Sequence, residues 1–319
     1  LASNDSERPQ VRFFEIDDSH LGQRLDNFLL SKLKGLPKGK LYNLMRKGEI
    51  RVNKKRIKPD YRLEVGDMVR VAPINLAPVA DKPVVNDGLK ELVQSRILYE
   101  DDALMVINKP SGLAVHGGSG LSFGLVEVVR QLRPDEKFIE LVHRLDRDTS
   151  GLIMIAKKRP MLRKLHEALR EKHGVKKIYQ ALVYGAWPKH QKEVNVPLQK
   201  NELKSGERVV KVDTEGKESL TRFSILRQFE HFTLIECEPV TGRTHQIRVH
   251  TQFAGHPIVG DEKYAPNFKN RNAKDFGLKR LCLHAARLTI NIDGKHQVFE
   301  APLDDDWREA MNENLTARF

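Results

Sequence analysis

The segment Val142-His143-Arg144-Leu145-Asp146-Arg147-Asp148-Thr149-Ser150-Gly151 carries two carboxylates, two guanidinium groups and an imidazole directly before the apolar run Leu152-Ile153-Met154-Ile155-Ala156. A five-residue apolar run that ends at a basic pair, Lys157-Lys158, reads as a buried strand, so the charged segment is a turn held at the mouth of that strand. A carboxylate kept ionised by a neighbouring guanidinium can act as a nucleophile or a base. The same residues also make a salt-bridged structural turn, and spacing alone leaves both readings open.

Other chemistries fit less well. A serine triad from His143, Asp146 and Ser150 would need base, orienter and nucleophile to come from one short turn, which rarely gives that geometry. His143-Arg144-x-Asp146 has the flavour of a kinase catalytic loop, but no Gly-x-Gly-x-x-Gly or Walker sequence is present to cradle a triphosphate. The chain has twelve histidines, yet His245 and His250 are five apart, which separates them on either a strand or a helix. No metal site is expected.

The elements that must position the charged turn alternate without a repeating strand-helix pattern. Ile97-Leu98-Tyr99 and Leu104 to Asn108 read as a hairpin around Glu100-Asp101-Asp102, and Lys109-Pro110-Ser111-Gly112 breaks it. Met161, Leu162, Leu165 and Leu169 mark an amphipathic helix, and Ile178 to Trp187 is a strand region containing Tyr179 and Tyr184. Residues 199 to 219 are polar, with turns at Ser205-Gly206 and Glu215-Gly216, and suggest a mobile arm. Phe232 to Glu236 resumes the sheet, a short helix is expected from about Thr244 to Ala254, and a hairpin turns at Asp293-Gly294 ahead of a short acidic tail. The fold class is α+β with a largely antiparallel, mixed sheet.

The chain has 319 residues and a formal net charge of +12, enough length for one large domain with a small companion. A surplus of that size favours polyanions. Between Lys38 and Arg62 ten basic residues face two acidic ones, a local net of +8. This basic stretch belongs to a compact pattern: Leu21, Leu25, Leu29 and Leu33 stripe one helix, Leu41, Leu44 and Met45 a second, and Ile50 to Val52 and Leu63 to Val71 alternate as strands. Residues 1–15 suggest a flexible arm and residues 16–72 a small RNA-binding domain. Residues 73–90, with Pro73, Pro78, Pro83 and an Asn86-Asp87-Gly88 turn signal, suggest a linker, and residues 91–319 the larger domain. No apolar run approaches the roughly 18 residues that span a bilayer, and Leu1 to Ser6 lack the features of a secretory signal. Two cysteines, Cys237 and Cys282, are too few for a disulfide framework, so a cytoplasmic location is expected.

Residues 20 to 72, with Gly22-Gln23-Arg24-Leu25-Asp26 and Gly48-Glu49-Ile50-Arg51-Val52-Asn53, resemble the small RNA-binding domain named after ribosomal protein S-four. That likeness implies contacts to a structured RNA backbone from Lys38, Lys40, Arg46, Lys47, Arg51, Lys54, Lys55 and Arg56, which position an RNA without reading its sequence. A second and more specific resemblance spans about residues 95 to 300. His143-Arg144-Leu145-Asp146-x-x-Thr149-Ser150-Gly151-Leu152, Lys109-Pro110-x-Gly112, Tyr179 after Lys176-Lys177, Gly242-Arg243-Thr244-His245-Gln246-Ile247-Arg248-Val249-His250 and Gly255-His256-Pro257-Ile258-x-Gly260-Asp261-x-x-Tyr264 resemble the RluA-type family of pseudouridine synthases.

This resemblance implies isomerisation of uridine to pseudouridine in large-subunit (23S) ribosomal RNA or its assembly intermediate, in an active-site cleft, by a protein expected to be monomeric. Asp146 matches the family's catalytic aspartate, acting at C1′, at C6 or by a glycal route. Arg248 matches the arginine beside it, and Tyr179 the aromatic that stacks on the target base. Arg144 matches the residue that fills the space left by a flipped uridine. His143, Arg243 and Leu283 complete the implied substrate-binding set. Isomerisation consumes nothing, so no cofactor is expected. A non-catalytic RNA-binding protein and an RNA glycosylase are the alternatives.

Overall fold

Leu25, Phe28, Leu29 and Leu33 are all but completely buried, and their spacing puts them on one face of a helix that must pack inward. The computed structural model describes residues 10–76, 84–117, 123–171, 174–202, 208–266 and 273–313. The chain divides into two units, Leu1–Pro83 and Val84–Phe319.

In the first unit, β1 (Arg12–Glu15), α1 (Leu25–Lys32), α2 (Lys38–Lys47), β2 (Ile50–Val52) and β3 (Met68–Val71) share one core. Helix α2 ends at Gly48, whose left-handed φ of 76° is readily adopted only by a residue without Cβ. The strands form an antiparallel sheet in the order β1-β3-β2. Within the arm expected over residues 1–15, Arg12–Glu15 is a strand that pairs along the whole of β3, which would otherwise have a bare edge. Residues 1–9 lie outside the described residues. The strand expected from Leu63 is also shorter, because Asp67 turns back to accept the Glu64 N–H at 2.9 Å.

The second unit begins inside the stretch expected to be a linker. Val85 is buried, and Asn86 caps α3 (Asp87–Ser95) by accepting the Leu89 N–H at 2.7 Å. Asn-Asp-Gly suits a cap as well as a turn, and Leu89 and Val93, one helical turn apart, decide for the cap. Residues 77–83 lie outside the described residues.

There follow β4 (Ile97–Glu100), β5 (Leu104–Lys109), α4 (Leu125–Leu132), β6 (Glu140–Leu141), β7 (Ser150–Ala156), α5 (Arg159–Ala168) and β8 (Val175–Tyr184). Next come β9 (Glu193–Asn195), β10 (Leu198–Glu202), β11 (Arg208–Val212), β12 (Leu220–Gln228) and β13 (Phe232–Pro239). The unit closes with α6 (Gln246–Phe253), β14 (Leu283–Ile292), β15 (Lys295–Glu300) and α7 (Asp305–Glu313). Strands run in the order β4-β5-β7-β14-β8-β13-β12-β9, with β15 added to β14 and β6 to β7. Every pairing in this sheet is antiparallel except β7 with β14. The architecture is the α+β class with a mixed, mostly antiparallel sheet.

All seven residues of β7 are buried, as the apolar run requires. The β7–β14 pairing is tight at Gly151, with φ +106°, where an added Cβ would stand 2.3 Å from the Ala285 carbonyl oxygen. Gly151→Ala is therefore expected to combine backbone strain with overpacking, at a cost of about 3 kcal/mol. Thermal unfolding should show the midpoint of this unit lowered by about 10 °C.

Two stretches of the second unit hold more structure than the sequence suggests. The polar stretch 199–219 contains an antiparallel hairpin, β10 with β11, because Leu198 and Val210 pack with Val249 and Tyr264; residues 203–207 lie outside the described residues. The acidic tail contains α7, whose Trp307 is 1% exposed, so Asp305, Asp306 and Glu309 lie on the outer face of an anchored helix.

Candidate active site

Asp146 sits in the loop between β6 and β7, where its carbonyl accepts the Thr149 N–H at 3.2 Å and closes a turn. The loop is held from behind by the segment that breaks the first hairpin. Lys109 is fully buried and donates from Nζ to the carbonyls of Pro110, Leu113 and Arg147 at 2.8, 2.9 and 2.9 Å. Burial pushes its pKa down to about 7. Ser111 Oγ donates to the Asp148 carbonyl at 2.7 Å, and the Gly112 N–H to the Arg147 carbonyl at 3.0 Å. Lys109-Pro110-x-Gly112 thus acts as a clamp on the backbone that carries Asp146. Arg147 and Asp148 pair with each other at 2.9 Å, with their side chains 60% and 44% exposed.

The Asp146 side chain is 32% exposed in the wall of a cleft of about 1200 Å³. Arg248 Nη1 lies 3.4 Å from its Oδ2. Arg248 comes from α6, is mostly buried, and donates from Nε and Nη2 to the two oxygens of Asp261, both at 2.8 Å. Burial opposes the charge on Arg248, but those hydrogen bonds and the charges of Asp261 and Asp146 outweigh it and raise its pKa. Asp261 is held in turn by the N–H groups of Lys263 and Tyr264, both at 3.0 Å, and the guanidinium lies over the Tyr264 ring at 5.0 Å. The forked pair fixes the guanidinium plane, so one amino group remains turned towards Asp146.

His245 approaches from another side, with Nε2 3.7 Å from Asp146 Oδ2. Its φ of 54° is uncommon for a residue with a side chain. Tyr264 Oη accepts the Val210 N–H at 3.0 Å and lies 2.7 Å from His245 Nδ1. The hydroxyl proton is then free to be donated to Nδ1, which leaves the imidazole N–H on Nε2, facing the carboxylate. Burial lowers the pKa of His245 against the pull of Asp146, consistent with a neutral ring. The support reaches Tyr264 through Val210, on the hairpin that the sequence suggests is a mobile arm.

Tyr179 lies on β8, opposite Ala285 of β14 and Cys237 of β13. It is half-buried in the cleft, and burial, reinforced by the Asp146 charge, raises its pKa. Its ring therefore stays a neutral apolar surface, suited to stacking. Leu283, at the start of β14, adds a buried apolar contact to the lining. Arg144 is exposed and also lines the cleft. Arg243 lines the same cleft and donates from Nε to the Glu218 carbonyl at 3.1 Å. His143 borders the cleft, but its Nε2 accepts the Met154 N–H of β7 at 3.2 Å, so this edge of the ring is occupied in holding the loop to the strand. Burial depresses its pKa well below the imidazole range.

The structure does not bring His143, Asp146 and Ser150 together as a triad. Ser150 Oγ is buried and lies 2.8 Å from His284 Nδ1, and it accepts from Arg280 at 3.1 Å. His284 Nε2 lies 3.1 Å from the Ala301 carbonyl, and burial pushes its pKa down to about 4. This is a structural network beneath the strand.

All eight basic residues singled out in the first unit are exposed. Arg51 and Arg56 are braced on backbone carbonyls, Gly48 at 3.0 Å and Lys47 at 3.4 Å respectively. The sequence alone gives His245, Asp261 and Tyr264 no roles, although all three lie inside the quoted motifs. The signal is the spacing itself: a histidine, an arginine three residues later, an aspartate thirteen residues after that and a tyrosine three further on.

Residues 103–253 match the family described as RNA pseudouridylate synthase, and residues 23–69 match the S4 domain. The chain is 52% identical over 319 residues to ribosomal large subunit pseudouridine synthase C of Escherichia coli K12, covering 98% of this chain and 99% of that one. It is 54% identical over 312 residues to the protein of the same name from Salmonella typhimurium, covering 96% and 97%. Among solved structures, human RNA pseudouridylate synthase domain containing 4 superposes with a TM-score of 0.58 at 26% identity, covering 70% of this chain and 95% of that one. With a carboxylate held beside a locked guanidinium in an open cleft, and with relatives this similar along their whole length, the chain belongs to the RluA-type family of pseudouridine synthases and carries an S4 domain.

Proposed function

We propose that the protein isomerises specific uridines of large-subunit ribosomal RNA, with Asp146 as the nucleophile. The observation that carries this reading is the Asp146 carboxylate, 3.4 Å from a guanidinium that Asp261 locks in place. In the reaction the C1′–N1 bond breaks, the uracil turns, a C1′–C5 bond forms, and the C5 proton leaves as N1 gains one. Asp146 engages the nucleotide while the glycosidic bond is absent. Arg248 orients the carboxylate and faces its charge. Tyr179 offers the face on which the detached base stays stacked as it turns. A uridine in folded RNA must first leave its stack, at a cost of a few kcal/mol, and Arg144 at the cleft enters the vacated space. Arg243 and Leu283 contact the nucleotide, and His143 acts mainly by holding the loop.

The basic residues of the first unit supply non-specific phosphate contacts that offset the cost of flipping. Replacing Lys54, Lys55 and Arg56 together by Gln is expected to weaken RNA binding and to flatten the plot of log affinity against log salt by about 0.7–0.9 for each phosphate no longer neutralised. A filter-binding titration at several salt concentrations checks this, and an unchanged slope would remove these residues from the interface. The choice of RNA is tested by incubating unmodified large-subunit ribosomal RNA with the protein and mapping carbodiimide adducts. New stops at discrete uridines are expected, and none on small-subunit RNA treated alike.

A further inference from the structure

Lys177 lies on β8 two residues before Tyr179, so both side chains leave the same face of the strand, and both line the cleft. The position is partly buried, yet its ammonium group makes no hydrogen bond or ion pair among the described residues. Its neighbour Lys176 is paired with Glu238 at 3.2 Å, so that carboxylate is already engaged. Desolvation lowers the pKa of Lys177 to about 8, with no acidic group acting to restore it. The charge of Lys177 in turn disfavours protonation of His143. A half-desolvated ammonium without a counter-ion is costly. A site that keeps one holds a place for an anion.

We propose that Lys177 binds a phosphodiester oxygen of the substrate strand next to the target nucleotide, and so sets where the strand enters the cleft relative to the stacking surface of Tyr179. The two Cα atoms are separated by about 6.6 Å along the strand, a step comparable to one nucleotide of extended chain. A base stacked on Tyr179 therefore brings an adjacent phosphate over Lys177. The compact charge of a lysine suits a phosphate oxygen, since it needs no fixed plane. The proposal rests on the reading of Asp146 and Tyr179 as the reaction site.

The test uses RNA oligonucleotides built around a uridine that the wild-type protein converts, each with one flanking phosphate replaced by an uncharged methylphosphonate. Lys177→Met keeps the apolar stem and removes the charge, and Lys177→Arg keeps the charge. At one flanking position the wild-type protein is expected to lose about tenfold or more in kcat/KM. Lys177→Met is expected to begin with a similar loss and to lose little further at that same position, while Lys177→Arg regains the sensitivity. The salt slope of Lys177→Met binding should be shallower by about 0.7. Losses that multiply at every flanking position would overturn the proposal, as would wild-type affinity and slope in Lys177→Met. Non-additivity confined to an RNA with 2-thiouridine at the target would also overturn it, because the ammonium would then serve the base. If the wild-type protein converts no uridine in the unsubstituted RNA, the function proposed above fails rather than this phosphate site.

Discussion

Asp146→Asn is expected to lower the rate of pseudouridine formation by roughly 10⁴-fold or more, while affinity for substrate RNA changes little. The substitution preserves size and leaves the loop anchored, because the clamp from Lys109, Ser111 and Gly112 acts on backbone carbonyls at Arg147 and Asp148 and not on the Asp146 side chain. What disappears is the negative charge facing Arg248 and His245, and with it the proposed nucleophile. Single-turnover kinetics with excess protein separates this loss of chemistry from any loss of binding. An asparagine variant that retained activity would show that the carboxylate serves only as a partner for Arg248.

Arg248→Met should have the largest effect on stability. Asp261 is buried and its two oxygens accept both forks of the guanidinium. Removing the cation leaves that carboxylate unpaired in the interior, at about 3–5 kcal/mol, which corresponds to a fall of about 10 °C in the midpoint of the second unit. Activity should fall with it, because Asp146 loses the guanidinium that orients it. Arg248→Lys is expected to lie between the two, since it restores a charge without the planar fork. Differential scanning calorimetry and the pseudouridine assay on the same three proteins check both parts. Wild-type stability in Arg248→Met would mean that the pair contributes nothing net.

The loop and strand around Asp146 were legible because β7 is uniformly apolar and the charge is concentrated immediately before it. The helix α6 and the hairpin β14–β15 were likewise announced, by a glycine stop at Gly255 and by Asp293-Gly294. Where the sequence misled, one local pattern supported two structures. Asn86-Asp87-Gly88 suits both a turn and a cap, and the apolar residues downstream selected the cap. Arg12–Glu15 lacks clean alternation, and its pairing depends on the distant strand β3. Leu198 and Val210 lie in short apolar stretches that flank a polar one, and only their packing with Tyr264 and Val249 makes the hairpin part of the site's support. For the same reason the Val210–Tyr264–His245 relay was not visible from composition or periodicity: it joins three segments through one hydroxyl group. The charges that stand out most in the linear sequence, Arg147 and Asp148, pair with each other at the surface, whereas the less conspicuous Asp261 holds the arginine that faces Asp146.

The most direct test of the central claim uses RNA labelled in the uracil ring, incubated with the wild-type protein and with Asp146→Asn, digested to nucleosides and counted as uridine, pseudouridine and free uracil. Isomerisation through Asp146 requires label to pass into pseudouridine with the wild-type protein, with none released and none converted by the variant. Label appearing as free uracil, or as pseudouridine with Asp146→Asn, would contradict it.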